Sequence, residues 1–377
     1  MGKEASGVVR PERIQAWLVE HAGPEARLVA LAPLGATTQE ALKAYGYGRP
    51  LQITFERAPG AAPEHLVLRT MSPDPFGHDR RADRIASLVE AYDDFATIPD
   101  HVRPIAVGAF DARPGHEGAL VPIEGGEPWL VTTYVEGELY AHDLSLAAAR
   151  AEASPRDLAR ARRLATWLAA LHAEPRPPED HRRDVRDTIG SGEGLFGIAD
   201  AWPDDHPLVA RLCAYEQAAV AWRWRLRGLG RRARRTHGDL HPFNLLFREG
   251  DDFTALDCSR RGAGEPADDV TCLSLNYLFF GLVHGERVHG HARVFAGPMR
   301  ALWDAFWETY LEASGDRELL SVVAPFFAWR ALVVASPVWY PHIADEVRVT
   351  LLDFATRLLA GEPFDPARPE PLLEPAP

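Results

Sequence analysis

Short apolar or alternating runs recur through the first third of the chain, at 27–33 (RLVALAP), 51–56 (LQITFE), 66–71 (LVLRTM), 105–110 (IAVGAF) and 129–134 (WLVTTY), with Gly and Pro punctuation between them. That pattern predicts five strands joined by tight loops. Between the third and fourth runs, residues 79–96 carry Ile85, Leu88, Val89, Tyr92 and Phe95 at helical spacing, which predicts one helix. From about residue 136 the period becomes helical. Pro155 opens an amphipathic segment with Leu158, Leu164, Trp167, Leu168 and Leu171 on one stripe, and further helices are predicted at 206–229, 268–283, 297–313 and 318–359. The expected fold class is α+β, with a β-rich unit of five strands and one helix at 25–135 and a larger, mainly helical unit at 136–361. A helical extension at 1–24 precedes them. A Pro-rich tail at 362–377, with five prolines beyond Pro363, is expected to be a loosely attached strap.

Composition narrows the function. The 377 residues are 46% apolar and 25% charged, which is ordinary for a globular protein of about two domains. Asp and Glu number 54 against 41 Lys and Arg, a net charge of −13 that argues against nucleic acid as a partner and leans towards a cationic small substrate. Cys213, Cys258 and Cys272 are odd in number and lack paired metal-ligand spacing, so neither a disulfide framework nor a zinc ribbon is expected. The N-terminus carries charge where a signal peptide needs an apolar stretch. The longest apolar runs, at 273–283 and 328–338, are interrupted by Asn276 and Arg330. The expectation is a soluble protein of the reducing cytoplasm with no membrane or nucleic-acid partner; the sequence does not specify the oligomeric state.

The chemistry concentrates at 236–247 (THGDLHPFNLLF) and 253–259 (FTALDCS). Asp239 and Asn244 stand five apart on a polar loop, an apolar strand follows, EGDD reverses the chain, and a second strand ends near Asp257. This hairpin presents three oxygen-bearing side chains at one end. Phosphoryl transfer needs a carboxylate to orient and deprotonate the attacking hydroxyl, and oxygen ligands to hold Mg²⁺ against nucleotide phosphates. Asp239, Asn244 and Asp257 suit those roles.

These residues resemble the aminoglycoside phosphotransferase and choline kinase family, a small-molecule branch of the protein-kinase-like fold. His237, Gly238, Asp239 and Asn244 match the spacing of its catalytic loop, Asp257 matches the metal-binding Asp, and Gly264, Pro266 and Asp269 match its Gly-x-Pro-x-x-Asp segment. The resemblance implies a two-lobed architecture, ATP (or GTP) with Mg²⁺ as cofactors, and a small-molecule hydroxyl acceptor. It makes Asp239 the catalytic base and Asn244 and Asp257 the metal ligands. His237 and Asp269 would support the loop, although Asp269 also suits a helix N-cap. For the nucleotide it implies Gly35, Thr37 and Thr38 at a phosphate-covering loop and the backbone of Thr133 and Val135 at the purine edge. Arg69 stands where the family carries Lys, with Lys43 a second candidate, and Glu90 or Asp83 would be its acidic partner.

Other readings compete. Alternating His237, Asp239 and His241 on an extended segment suit a metal-dependent hydrolase, with His284, His289 and His291 as further ligands. A kinase-like fold that binds nucleotide without effective turnover is the other alternative. The run 222–235, with seven arginines among aromatics, reads better as a solvated helix face with ion pairs than as a nucleic-acid contact. Cys258 and the aromatic residues Trp303, Phe306, Trp307, Phe326, Phe327 and Trp329 read as packing residues. Aminoglycosides, amino alcohols and sugars all remain open as acceptors, and acidity favours an amine-bearing one.

Overall fold

A computed structural model of the chain describes residues 9–34, 48, 50–74, 77–78, 80–111, 113, 116, 118–122, 127–258, 262–285, 287–288, 292–293 and 295–374. The chain divides into two compact units, the first holding most of residues 1–135 and the second most of 136–377.

The first unit contains α1 (Pro11–Ala22), β1 (Arg27–Pro33), β2 (Leu51–Glu56), β3 (Glu64–Thr70), α2 (Arg81–Phe95), β4 (Pro104–Phe110), β5 (Leu120–Val121) and β6 (Pro128–Thr133). The strands form one antiparallel sheet in the order β1-β2-β3-β6-β4-β5. Five were expected. The sixth, β5, is two residues long, below the run length at which alternation can be read. The helical extension is a working part of the core: Ile14, Trp17 and Leu18 of α1 pack against Ile53, Phe55, Leu68, Phe110, Trp129 and Val131 of the sheet. Each such aliphatic or aromatic burial is worth about 1.5–3 kcal/mol.

The second unit opens with β7 (Glu138–Leu139), α3 (Tyr140–Ala148), α4 (Pro155–Leu171), α5 (Pro178–Gly190), α6 (Leu195–Asp200) and α7 (Leu212–Leu226). The hairpin β8 (Leu245–Phe247) and β9 (Phe253–Ala255) follows, and β7 completes a three-stranded sheet with it. The remainder is α8 (Ala267–His284), β10 (Arg287–Val288), β11 (Ala292–Arg293), α9 (Gly297–Ser314), α10 (Ala324–Ala335) and α11 (Asp345–Ala360). The single helix expected over 318–359 is two helices, because Pro337 and Pro341 lie between them and cannot continue an α-helix. Nor is the tail loose. Phe364, Leu372 and Leu373 are buried, and the Trp303 indole N–H donates to the Pro366 carbonyl at 2.8 Å. Cys258 and Cys272 are buried packing residues, as are the aromatic rings named above.

Candidate active site

The segment leading to the candidate loop 236–244 is tied to the helical unit before the loop begins. Arg234 and Gly264 exchange both backbone hydrogen bonds at 2.9 Å, and the Thr236 N–H donates to the Gly262 carbonyl. A side chain at 264 has no room, since a Cβ there would meet the Asp184 carboxylate at 2.5 Å. The chain then turns at Gly238, whose φ of +84° is a left-handed conformation that L residues with side chains avoid. This turn aims two consecutive backbone N–H groups at one acceptor: His237 N and Gly238 N donate to Asp269 Oδ2 and Oδ1, both at 2.7 Å. Asp269 lies in the first turn of α8 but does not cap it.

Asp269 is fully buried, and its negative charge is compensated. The His172 ring nitrogen Nε2 lies 3.1 Å from Asp269 Oδ2, and His172 Nδ1 lies 2.8 Å from the Tyr310 hydroxyl. Burial pushes the Asp269 carboxyl up; the His172 hydrogen bond, the nearby imidazoles and the His237 N–H outweigh it, so the net shift is downward. His237 is fully buried beside Trp167, and burial lowers its pKa against the pull of Asp269, Asp239 and Asp257. Its Nδ1 accepts the Asp239 N–H at 3.3 Å. Both residues therefore hold loop backbone.

Asp239 reaches the surface, with 19% of its side chain exposed. Asn244 Nδ2 donates to the Asp239 carbonyl at 3.0 Å and to Oδ2 at 3.3 Å, so the five-residue spacing closes a small ring. The Asn244 Oδ1 accepts no hydrogen bond among the described residues. Asp257 follows β9, and the N–H of its neighbour Leu256 donates to the Asn244 carbonyl at 3.0 Å, which keeps the two positions together. The Asp257 carboxylate and the Asn244 amide oxygen together suit Mg²⁺, which takes one or two protein carboxylates and completes its shell with substrate phosphate and water.

Among the described residues the hydrolase arrangement is not built. His241 Nδ1 accepts the Phe243 N–H at the short 3-10 turn Pro242–Asn244, which leaves its proton on Nε2, 3.5 Å from Asp239 Oδ2. His237 turns its Nδ1 to backbone. Among the described residues no three His, Cys, Asp or Glu side chains gather as a metal cluster, and His289 and His291 lie outside them.

In the first unit the structure places Arg69 on β3 with its guanidinium 5.9 Å from the centre of the Phe95 ring at the end of α2. Glu90 is on the same helix. Asp83 caps the start of that helix, its Oδ2 accepting the Arg80 N–H at 3.1 Å. Thr133 ends β6 with its N–H and its Oγ1 both engaged by the Arg103 backbone, and Val135 lies two residues on. Gly35, Thr37, Thr38 and Lys43 lie outside the described residues. The arginine run forms ion pairs: Arg231 with Glu318, Arg235 with Glu174, and Arg232 with Glu265, Asp316 and Glu318. A groove of about 520 Å³ between α5 and α7 shares no lining residue with the loop.

Pattern reading missed Arg330. From α10 it sends Nη1 to Asp239 Oδ1 at 2.6 Å, and Nη2 to the Gly238 carbonyl at 2.9 Å and to Asp268 Oδ1 at 3.0 Å. The available signal was a lone Arg in the apolar run APFFAWRALVVA, since a charge buried in such a helix requires a partner.

The family model described as "Phosphotransferase enzyme family" matches residues 52–304. The match spans more than half of the chain, whose antiparallel sheet and helical unit make an α+β fold. The chain belongs to the phosphotransferase enzyme family. Solved structures similar to it include aminoglycoside phosphotransferase APH(3'')-Id from Streptomyces rimosus in complex with ADP and streptomycin, at 16% identity and a TM-score of 0.41, covering 73% of this chain and 89% of that one. A macrolide 2'-phosphotransferase type I has 16% identity and a TM-score of 0.44, covering 96% and 99%. Choline kinase LicA from Streptococcus pneumoniae has 14% identity and a TM-score of 0.42, covering 93% and 99%. Among curated proteins none matches. No helix among the described residues is long and apolar enough to cross a membrane.

Proposed function

We propose that the chain transfers the γ-phosphoryl group of a nucleoside triphosphate, ATP or GTP, to a hydroxyl of a small molecule in the cytoplasm. The acceptor oxygen forms a bond to the γ-phosphorus as the bond from that phosphorus to the β–γ bridging oxygen breaks. The hydroxyl proton passes to Asp239, and the nucleoside diphosphate leaves. The observation that carries this reading is the placement of Asp239: a partly exposed carboxylate on a loop braced through Gly238 and His237, hydrogen-bonded to Asn244 five residues on.

Asn244 and Asp257 would hold Mg²⁺, which when bound neutralises phosphate charge. Arg69, with Glu90 on α2, and the backbone near Thr133 and Val135 are the proposed nucleotide contacts of the first unit, and Gly35, Thr37 and Thr38 the proposed phosphate loop. Net acidity favours an amine-bearing acceptor such as an aminoglycoside or amino alcohol. A phosphate loop with Gly35 as its glycine and Arg in place of Lys at position 69 favour nucleotide binding without turnover. The test is phosphate transfer from γ-labelled ATP with Mg²⁺ to aminoglycosides, macrolides, amino alcohols and sugars, for the wild type and Asp239→Asn. Labelling of one acceptor class that disappears in Asp239→Asn is expected. Tight Mg·ATP binding with no Asp239-dependent labelling of any acceptor supports the non-catalytic reading.

A further inference from the structure

We infer that Arg330 is the positioning residue of this site: it sets the orientation of the Asp239 carboxylate and of the loop carbonyl behind it. The inference rests on the reading of Asp239 as the group that orients the acceptor hydroxyl.

Three contacts fix the guanidinium as a bridge. One arm takes Asp239 Oδ1; the other takes the Gly238 carbonyl and Asp268 Oδ1. Asp268, 1% exposed in the first turn of α8, anchors the far side of the fork. The flat face is also held, because the Arg330 guanidinium lies 3.5 Å from the centre of the Trp329 ring, whose N–H donates to the Glu193 carbonyl at 3.0 Å. Arg330 thereby ties α8, α10 and the catalytic loop to one oxygen of Asp239. Asn244 and His241 face the other oxygen.

Stability does not explain this arrangement. Arg330 is 6% exposed and its Nε–H has no hydrogen-bond partner among the described residues, so a buried donor is left unsatisfied. A buried ion pair with such a defect gains little over well-packed apolar side chains. The geometry does explain it. A carboxylate that orients a hydroxyl must be held to within a fraction of an ångström, and a planar fork joined to three oxygens does that where a flexible ammonium does not. The burden of burial is met by charge: burial opposes the cation, and the negative groups around it, Asp268 and Asp239 among them, keep it charged.

The experiment compares wild type, Asp239→Asn, Arg330→Lys, Arg330→Met and Asp268→Asn in the γ-labelled transfer assay, with nucleotide Kd, thermal midpoint and hydrogen exchange of the 236–244 amides recorded for each. Arg330→Lys is expected to lower kcat about 100-fold, leave nucleotide Kd within about twofold, and speed exchange across 236–244. Asp268→Asn is expected to lower kcat about tenfold in the same manner. These two variants keep the buried cation, so they carry the test if Arg330→Met fails to fold. Transfer whose kcat stays within twofold of wild type in both, while Asp239→Asn is inactive, overturns the inference alone. Absence of Asp239-dependent transfer by the wild type overturns the reading of the site and this inference with it.

Discussion

Of the buried arginines described in the helical unit, Arg232 and Arg330 each pair with more than one carboxylate, and they are built differently. Arg232 belongs to the arginine run and uses all five of its N–H groups: Nε and Nη2 on Glu265 at 2.9 and 2.6 Å, Nη1 and Nη2 on Asp316 at 2.9 and 2.8 Å, and Nη1 on Glu318 at 3.2 Å. Glu265 is itself fully buried and faces His181 Nε2 at 3.1 Å. Among the described residues Arg330 makes three hydrogen bonds, leaves Nε without a partner, and directs its shortest contact to a carboxylate that reaches the surface. A closed network holds segments together; an open one presents a group. The same residue type thus serves structure at one site and, on the proposed reading, placement of the Asp239 carboxylate at the other.

Single substitutions should separate the two sites. The largest effect is expected from Asp239→Asn, which keeps the shape of the loop but removes the proposed proton acceptor. A positioned general base contributes roughly 10²–10⁴ in rate, so kcat should fall by that factor, about 3–5 kcal/mol, while the thermal midpoint barely moves. Arg232→Met should show the reverse. It strands Glu265 as a buried charge without its cation, for which about 3–5 kcal/mol of stability is lost, measured by urea unfolding, and the molecules that remain folded should keep wild-type kcat. A large fall in kcat for folded Arg232→Met would erase the distinction.

Asp269→Asn lies between the extremes, because Asp269 is buried like Glu265 but grips the loop that carries Asp239. The amide retains one acceptor oxygen for the two N–H groups of His237 and Gly238 and sets an NH₂ against the other. Charge-assisted bonds of this kind are worth about 1.5–3 kcal/mol, so stability should fall by about 2 kcal/mol and kcat about tenfold together. A change in only one of the two would assign Asp269 to one side.

What the sequence made legible follows from how far apart the interacting residues lie. β1 at Arg27–Pro33 and β2 at Leu51–Glu56 have the bounds their alternation predicts, since each strand's pattern is local. The spacing of Asp239 and Asn244 was readable because their hydrogen bond closes within one short loop. Arg330 lies 91 residues from Asp239 and belongs to a helix whose pattern says only that it is buried. Its role is a product of tertiary packing. The break between α10 and α11 was written in Pro337 and Pro341 and overridden by a strong apolar period. The tail's proline content reads as loose, yet Phe364 fills a space among Trp303, Trp307 and Phe327 that composition does not reveal.

The smallest effect tests the brace beneath the open site through its protons. His237 has a folded pKa below its ordinary value of about 6.5, because burial penalises the imidazolium more than Asp269, Asp239 and Asp257 favour it. Below about pH 6.5 the unfolded chain therefore takes up a proton that the folded chain refuses, and stability rises with pH across that window. The contribution is present above the unfolded value and is lost as pH falls through the folded one. Asp269 acts in the same direction at lower pH: its folded pKa is depressed, so its contribution is present above about pH 3.9 and fades as pH falls through the folded value. His237→Asn keeps an acceptor for the Asp239 N–H but does not titrate. Unfolding free energies from urea titrations between pH 7.5 and 5 should fall more steeply in wild type than in His237→Asn, by at most about 1.4 kcal/mol per pH unit, the limit for one proton. Parallel slopes would mean that His237 accepts its proton in the folded state. The brace would then be a charged pair with Asp269, closer in kind to the closed network at Arg232.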